Sequence, residues 1–78
     1  MIIKAVYVRD VAILEIDLEP CADVFIFKVK NNEIELCGKS LVLSETLANF
    51  RKGLLVMNKQ PFFVECEDGE CVAARAQI

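Results

Sequence analysis

Histidine and tryptophan are missing from this 78-residue sequence, and side-chain hydroxyls are scarce, with serine only at Ser40 and Ser44 and threonine only at Thr46. Histidine is the commonest general base and the commonest metal ligand in proteins. Its absence excludes Ser-His-Asp and Cys-His catalysis, and also the zinc sites that use histidine. We therefore expect a protein that is not an enzyme and that has neither a cofactor nor a metal site.

Long apolar runs are also missing, since no stretch approaches the length of about 18 residues that a membrane-spanning helix needs. The segment from Met1 to Tyr7 has no basic leader before an apolar core and no cleavage site of small residues, so we expect no signal peptide. The formal net charge of −3 repels duplex nucleic acid and anionic membranes at long range. These features predict a cytoplasmic protein that does not bind membranes.

Glycine and proline are few, with three and two copies, whereas 55% of the residues are hydrophobic. Residues 2–18 are almost continuously strand-like and too long for one straight strand in so small a chain. A turn at Arg9-Asp10 sets Lys4 opposite Glu15 and places most of the apolar side chains on one face. We predict a first β-hairpin here.

Two further hairpins have clearer turns. Asn31-Asn32 suits a two-residue turn within residues 24–37, and this register sets Lys30 opposite Glu33 and Lys28 opposite Glu35. The apolar side chains then line the other face: Phe25, Phe27, Val29, Ile34 and Leu36. Asp68-Gly69, between apolar runs, is a strong hairpin signal within residues 62–76.

Between the second and third hairpins the spacing favours a short helix at about residues 44–53. Ser44 is a good N-cap residue and Gly53 a natural stop. Four apolar residues fall on one helical face: Leu43, Leu47, Phe50 and Leu54. We therefore predict one compact α+β domain over residues 1–78, with a mostly antiparallel sheet built from hairpins and one short α-helix.

The four cysteines offer one candidate disulfide. The Asp68-Gly69 turn makes Cys66 and Cys71 a cross-strand pair close enough for a disulfide, although two reduced, buried cysteines fit the same pattern. Cys21 and Cys37 have no close sequence neighbour to complete the ligand pairs of a four-cysteine zinc site. A cysteine-based redox or structural-zinc protein is the second alternative function.

Basic residues of the middle segment supply the first alternative, a protein that binds single-stranded nucleic acid. Antiparallel strands followed by a helix can present such residues to a single strand. The candidate contacts are Lys28, Lys30, Lys39, Arg51 and Lys52. Glutamates opposite Lys28 and Lys30 leave little uncompensated charge, so this function is not favoured.

The preferred function rests on hairpins that are apolar on both faces. An antiparallel sheet in a small protein usually buries one face and leaves the other in water, and a large exposed apolar patch marks an interface. We predict a small regulator, inhibitor or adaptor that self-associates as a homodimer or larger homo-oligomer and acts by binding an unidentified protein partner. The candidate interface is Val6, Val8, Val11 and Ile13.

Overall fold

Eight β-strands account for most of the chain in the computed structural model, which describes residues 3–8, 11–42 and 51–77. The strands are β1 (Ile3–Val8), β2 (Val11–Ile16), β3 (Val24–Lys30), β4 (Glu33–Leu36), β5 (Lys39–Val42), β6 (Lys52–Met57), β7 (Gln60–Glu67) and β8 (Glu70–Arg75). They form one curled sheet in the order β1-β2-β6-β7-β8-β3-β4-β5. The fold is therefore all-β.

The predicted α+β class is wrong, because the described residues contain strands and no helix. Most of the helix predicted at about residues 44–53 lies outside the described residues, but Lys52 and Gly53 at its expected end already belong to β6. Leu54, which we placed on the apolar face of that helix, also lies in this strand. The physical reason is the continuous apolar run from Gly53 to Met57, which suits a strand that is apolar on both faces as well as it suits a helix.

The predicted hairpin registers are confirmed. Lys4 is opposite Glu15 in the β1–β2 pair, and Lys28 is opposite Glu35 in the β3–β4 pair. Cys66 is opposite Cys71 across the β7–β8 turn. The turn predicted at Arg9-Asp10 lies outside the described residues. Local turn chemistry and alternation of apolar residues therefore determine strand pairing within each hairpin.

One strand pair breaks the antiparallel pattern and joins the hairpins into one sheet. β2 runs parallel to β6, with Ile13 opposite Leu54. β6 then pairs with β7, and β8 pairs with β3, so the last three strands lie between the first and second hairpins. The sheet is thus mixed, although all its other strand pairs within the described residues are antiparallel.

The hydrophobic core lies on the inner face of the curled sheet and runs from β2 to β5. Its fully buried large side chains are Leu14, Ile16, Ile34, Leu36, Leu55, Met57, Phe62, Val64 and Cys71. The rings of Phe25 and Phe62 meet edge to face with centroids 5.2 Å apart. Arg75 lies over the ring of Phe62 and makes an ion pair with Asp23, with Nε 2.8 Å from Oδ1. This arrangement leaves the opposite, outer face of the sheet to solvent.

Candidate functional site

A row of apolar residues crosses six neighbouring strands on the outer face. Each member is the register partner of the next, from β1 through β2, β6, β7 and β8 to β3. We call this set the outer row: Val6, Ile13, Leu54, Phe63, Ala74 and Val24. Because alternate residues of a strand point to opposite faces, all six side chains lie opposite the core.

Exposure of the outer row is large for apolar side chains. Phe63 is 63% exposed and Val24 62%, although both lie within the sheet and not at its edge strands. Val6 on the edge strand is 52% exposed. Ile13, Leu54 and Ala74 are half-buried. Single exposed apolar residues are normal, whereas a contiguous set across a sheet is a candidate interaction surface.

A second line of residues runs beside the outer row, two residues away along each strand. Ile26 on β3 is 77% exposed and is opposite Val72 on β8, which is 47% exposed. In the middle of this line, Lys52 on β6 is opposite Glu65 on β7, and both side chains are exposed. The apolar surface therefore carries one positive and one negative group near its centre.

The structure places the predicted interface residues at one end of this surface. Val6 is opposite Ile13, and Val8 is opposite Val11. Val11 is 39% exposed, so two of the four are exposed and Ile13 is half-buried. For Val8 the structure describes the backbone pairing alone. The sequence indicated this end of the surface and missed its continuation.

The continuation depends on the parallel pairing of β2 with β6. That pairing puts Leu54 beside Ile13 and so connects the outer faces of the first and last hairpins. The sequence predicted that Phe63, Val72, Ala74 and Ala76 share a second apolar face in the last hairpin, which was the available signal. Nothing in the local pattern showed that this face lies next to that of the first hairpin.

A concavity of about 930 Å³ is lined by Ile26 and Val72 of the outer face together with the core residues Phe27 and Cys71. Acidic side chains of β4, β7, β8 and the β7–β8 turn line it: Glu35, Glu65, Glu67, Asp68 and Glu70. Lys28 is the cation among the described lining residues, and it lies between Glu35 and Glu70 in the sheet. The electrostatic potential of this end of the surface is therefore negative.

All four cysteines are joined in disulfides that also line the concavity. Cys66 is bonded to Cys71 across the β7–β8 hairpin, and Cys21 is bonded to Cys37 with Cα atoms 5.6 Å apart. The second bond ties the irregular segment between β2 and β3 to the turn between β4 and β5. Among the described residues no group of three or more metal-ligating side chains is positioned to hold an ion.

The basic residues considered for nucleic acid binding do not form one patch in the structure. Lys28 and Lys30 lie opposite Glu35 and Glu33 on the outer face. Lys52 is three strands away on β6, opposite Glu65. Lys39 is at the far edge in β5. Arg51 precedes β6, and its carbonyl accepts a hydrogen bond from the amide of Cys66.

The outer row and its flanking residues are thus the most extensive exposed apolar feature of the described residues. The described part of the chain contains no helix of the length and apolarity that crossing a membrane requires. Comparison with protein-family models, with curated proteins and with solved structures finds no match.

Proposed function

We propose that this chain is a non-catalytic interaction protein that self-associates and acts by protein–protein binding through the outer face of its sheet. The observation that supports the proposal is the outer row, which continues without interruption across six strands. The described residues contain no second layer that covers this row. Association with another chain removes it from water.

The exposed apolar area is large enough to stabilise a complex. Six outer-face side chains contribute most of it: Val6, Val11, Val24, Ile26, Phe63 and Val72. They expose roughly 600 Å² together, because a fully exposed side chain of this kind offers on the order of 150 to 200 Å². Burying it at about 25 cal/mol/Å² gives roughly 15 kcal/mol before the entropic cost of association.

Sedimentation equilibrium at micromolar protein concentration tests the proposal, and we expect a species larger than the 8.8 kDa monomer. Phe63→Asp places a charge in the middle of the outer row and is expected to give a monomer, because a carboxylate would have to be desolvated in the interface. Val11→Asp is expected to weaken the complex in the same way at the end of the surface that the sequence indicated.

Val42→Asp is the matched control. Val42 is 68% exposed, close to the 63% of Phe63, but it lies on the edge strand β5 outside the outer row. We expect this variant to self-associate like the unmodified chain. A wild-type protein that sediments as a clean monomer, or a control that dissociates as fully as Phe63→Asp, would remove the support for the proposal.

The alternative functions have less support. A single-strand-binding protein needs an uncompensated basic surface, whereas Lys28, Lys30 and Lys52 are each opposite a glutamate. Retention on single-stranded DNA that weakens steeply as salt rises would favour this alternative. A four-cysteine zinc site needs four thiolates, and the structure holds the cysteines as two disulfides.

A further inference from the structure

We infer that the outer face binds a second copy of itself face to face, about a twofold axis that runs parallel to the strands between β6 and β7. The inference rests on the proposed self-association and specifies its geometry. Closed homodimers with one twofold axis are the commonest oligomers, and such an interface must be complementary to itself. The outer row and the line that contains Lys52 and Glu65 meet that condition for one direction of the axis.

The six strands that carry the outer row are arranged symmetrically about the proposed axis. Their order is β1-β2-β6-β7-β8-β3, so the rotation exchanges β6 with β7, β2 with β8 and β1 with β3. Each residue of the outer row then faces another member of the row. Leu54 faces the partner subunit's Phe63, and Ile13 faces the partner subunit's Ala74. The rotation therefore matches every position of the row with an apolar residue of the partner subunit.

The charged residues beside the outer row decide the direction of the axis. Lys52 and Glu65 are register partners on β6 and β7, in the line next to the row. The proposed rotation exchanges these strands and keeps this line, so Lys52 faces the partner subunit's Glu65, and Glu65 faces the partner subunit's Lys52. In the same line, Val11 on β2 faces the partner subunit's Val72.

A twofold axis at right angles to the strands gives a much poorer match. It would place each strand on its own copy and exchange the lines on either side of the outer row. Lys52 would then lie over Val56 of the partner subunit, and Glu65 over Pro61 of the partner subunit. Both charges would lose solvent without gaining a partner, which is strongly unfavourable. Charge complementarity thus selects the axis that runs along the strands.

The area involved predicts a complex of moderate affinity. The exposed apolar side chains provide at most roughly 600 Å² per copy, which is less than the roughly 800 Å² that each partner buries in a standard interface. Because the sheet curls, contact centres on β6 and β7 and decreases toward the edge strands. We expect a dissociation constant in the micromolar range, which lies within reach of sedimentation equilibrium.

Mixing two charge-reversed variants tests the axis directly. Lys52→Glu alone would put glutamate against glutamate twice in its dimer, and Glu65→Lys alone would put lysine against lysine twice. We expect each variant alone to dimerise at least tenfold more weakly than the unmodified chain. An equimolar mixture of the two pairs every glutamate with a lysine across the interface, so we expect the heterodimer to recover at least tenfold in affinity.

Recovery on mixing reports contacts between chains, because the like charges within each variant chain remain unchanged by mixing. Wild-type dimers without recovery in the mixture would overturn the axis and leave self-association standing. A monomeric wild type would overturn both. If a variant fails to fold, isotope-filtered NMR of mixed labelled and unlabelled wild-type chains tests the axis instead. We expect contacts between the Leu54 methyl groups of one chain and the Phe63 ring of another. Contacts restricted to other strands would overturn the axis.

Discussion

Gly38 and Gly69 both have left-handed backbone conformations, with φ of +76° and +79°, but their surroundings differ. A Cβ added at Gly38 would meet no atom within 4 Å, whereas one added at Gly69 would come within 2.6 Å of the Val29 carbonyl oxygen. The amide of Val29 also donates a hydrogen bond to the Gly69 carbonyl, at 2.8 Å, which holds the turn against β3. Gly69 therefore has a packing role that Gly38 lacks.

Alanine at these two positions should separate conformational strain from steric contact. Gly38→Ala is expected to cost about 1 kcal/mol in the free energy of unfolding, because a residue with a Cβ is disfavoured in the left-handed conformation. Gly69→Ala should cost roughly 3 kcal/mol, since the turn must also move away from β3. Urea denaturation measures both values. Equal costs would show that the contact with Val29 is relieved without loss of stability.

Neighbouring residues of β3 illustrate the difference between the two faces of the sheet. Phe27 is 3% exposed in the core, whereas Lys28 is exposed between Glu35 and Glu70. We expect Phe27→Ala to cost roughly 3 kcal/mol because it opens a cavity. Lys28→Glu should cost on the order of 0.5 kcal/mol, since exposed charge pairs contribute little. Chemical denaturation measures both costs. A larger loss of stability for Lys28→Glu than for Phe27→Ala would contradict the assignment of these residues to the two faces.

Residue-level features were the most predictable part of the fold. Alternation of apolar and polar residues identified the inward faces of Phe25, Phe27, Ile34 and Leu36, which the structure buries. This succeeds because the side-chain period of a strand is two, so a single correct register assigns every side chain of a hairpin to a face. The same reasoning could not reach contacts between hairpins, because those depend on which strands become neighbours.

At the scale of elements, the prediction failed where two periodicities fit the same residues. Leu43, Leu47, Phe50 and Leu54 have helical spacing, but Leu54 and Leu55 lie on opposite faces of β6. A strand that is apolar on both faces has no alternation to reveal it. The parallel pairing with β2 joins residues about forty positions apart, and no local signal encodes it. The outer row could not be predicted without that pair.

The disulfide between Cys21 and Cys37 constrains the irregular segment between β2 and β3. It closes a loop with a sequence separation of 16, so its loss should cost about 3 kcal/mol through the greater entropy of the unfolded chain. Because either substitution breaks the bond, Cys21→Ser alone and the double variant with Cys37→Ser should be destabilised equally in urea denaturation. Additive effects of the two substitutions would show that the bond is absent.

At the scale of the whole molecule, the disulfides bear on where the protein resides. The cytoplasmic location expected from the sequence stays a prediction, and disulfides are rare in that compartment. Free thiols can be blocked with an alkylating reagent at the moment of lysis and then counted on the denatured protein. This count gives the redox state of the four cysteines in the cell. We expect no free thiol per chain, which would favour an oxidising compartment. Four free thiols would agree with the cytoplasm.

Strand order also determines how the molecule is completed during synthesis. β2 and β3 are consecutive in the chain, yet β6, β7 and β8 lie between them in the sheet. A nascent chain that has emerged only as far as β5 therefore holds two separate groups of strands, and each group has an edge that still lacks its partner. Such edges invite pairing with other chains. Because β6, β7 and β8 are inserted between the groups, one continuous sheet cannot exist until β8 has emerged from the ribosome.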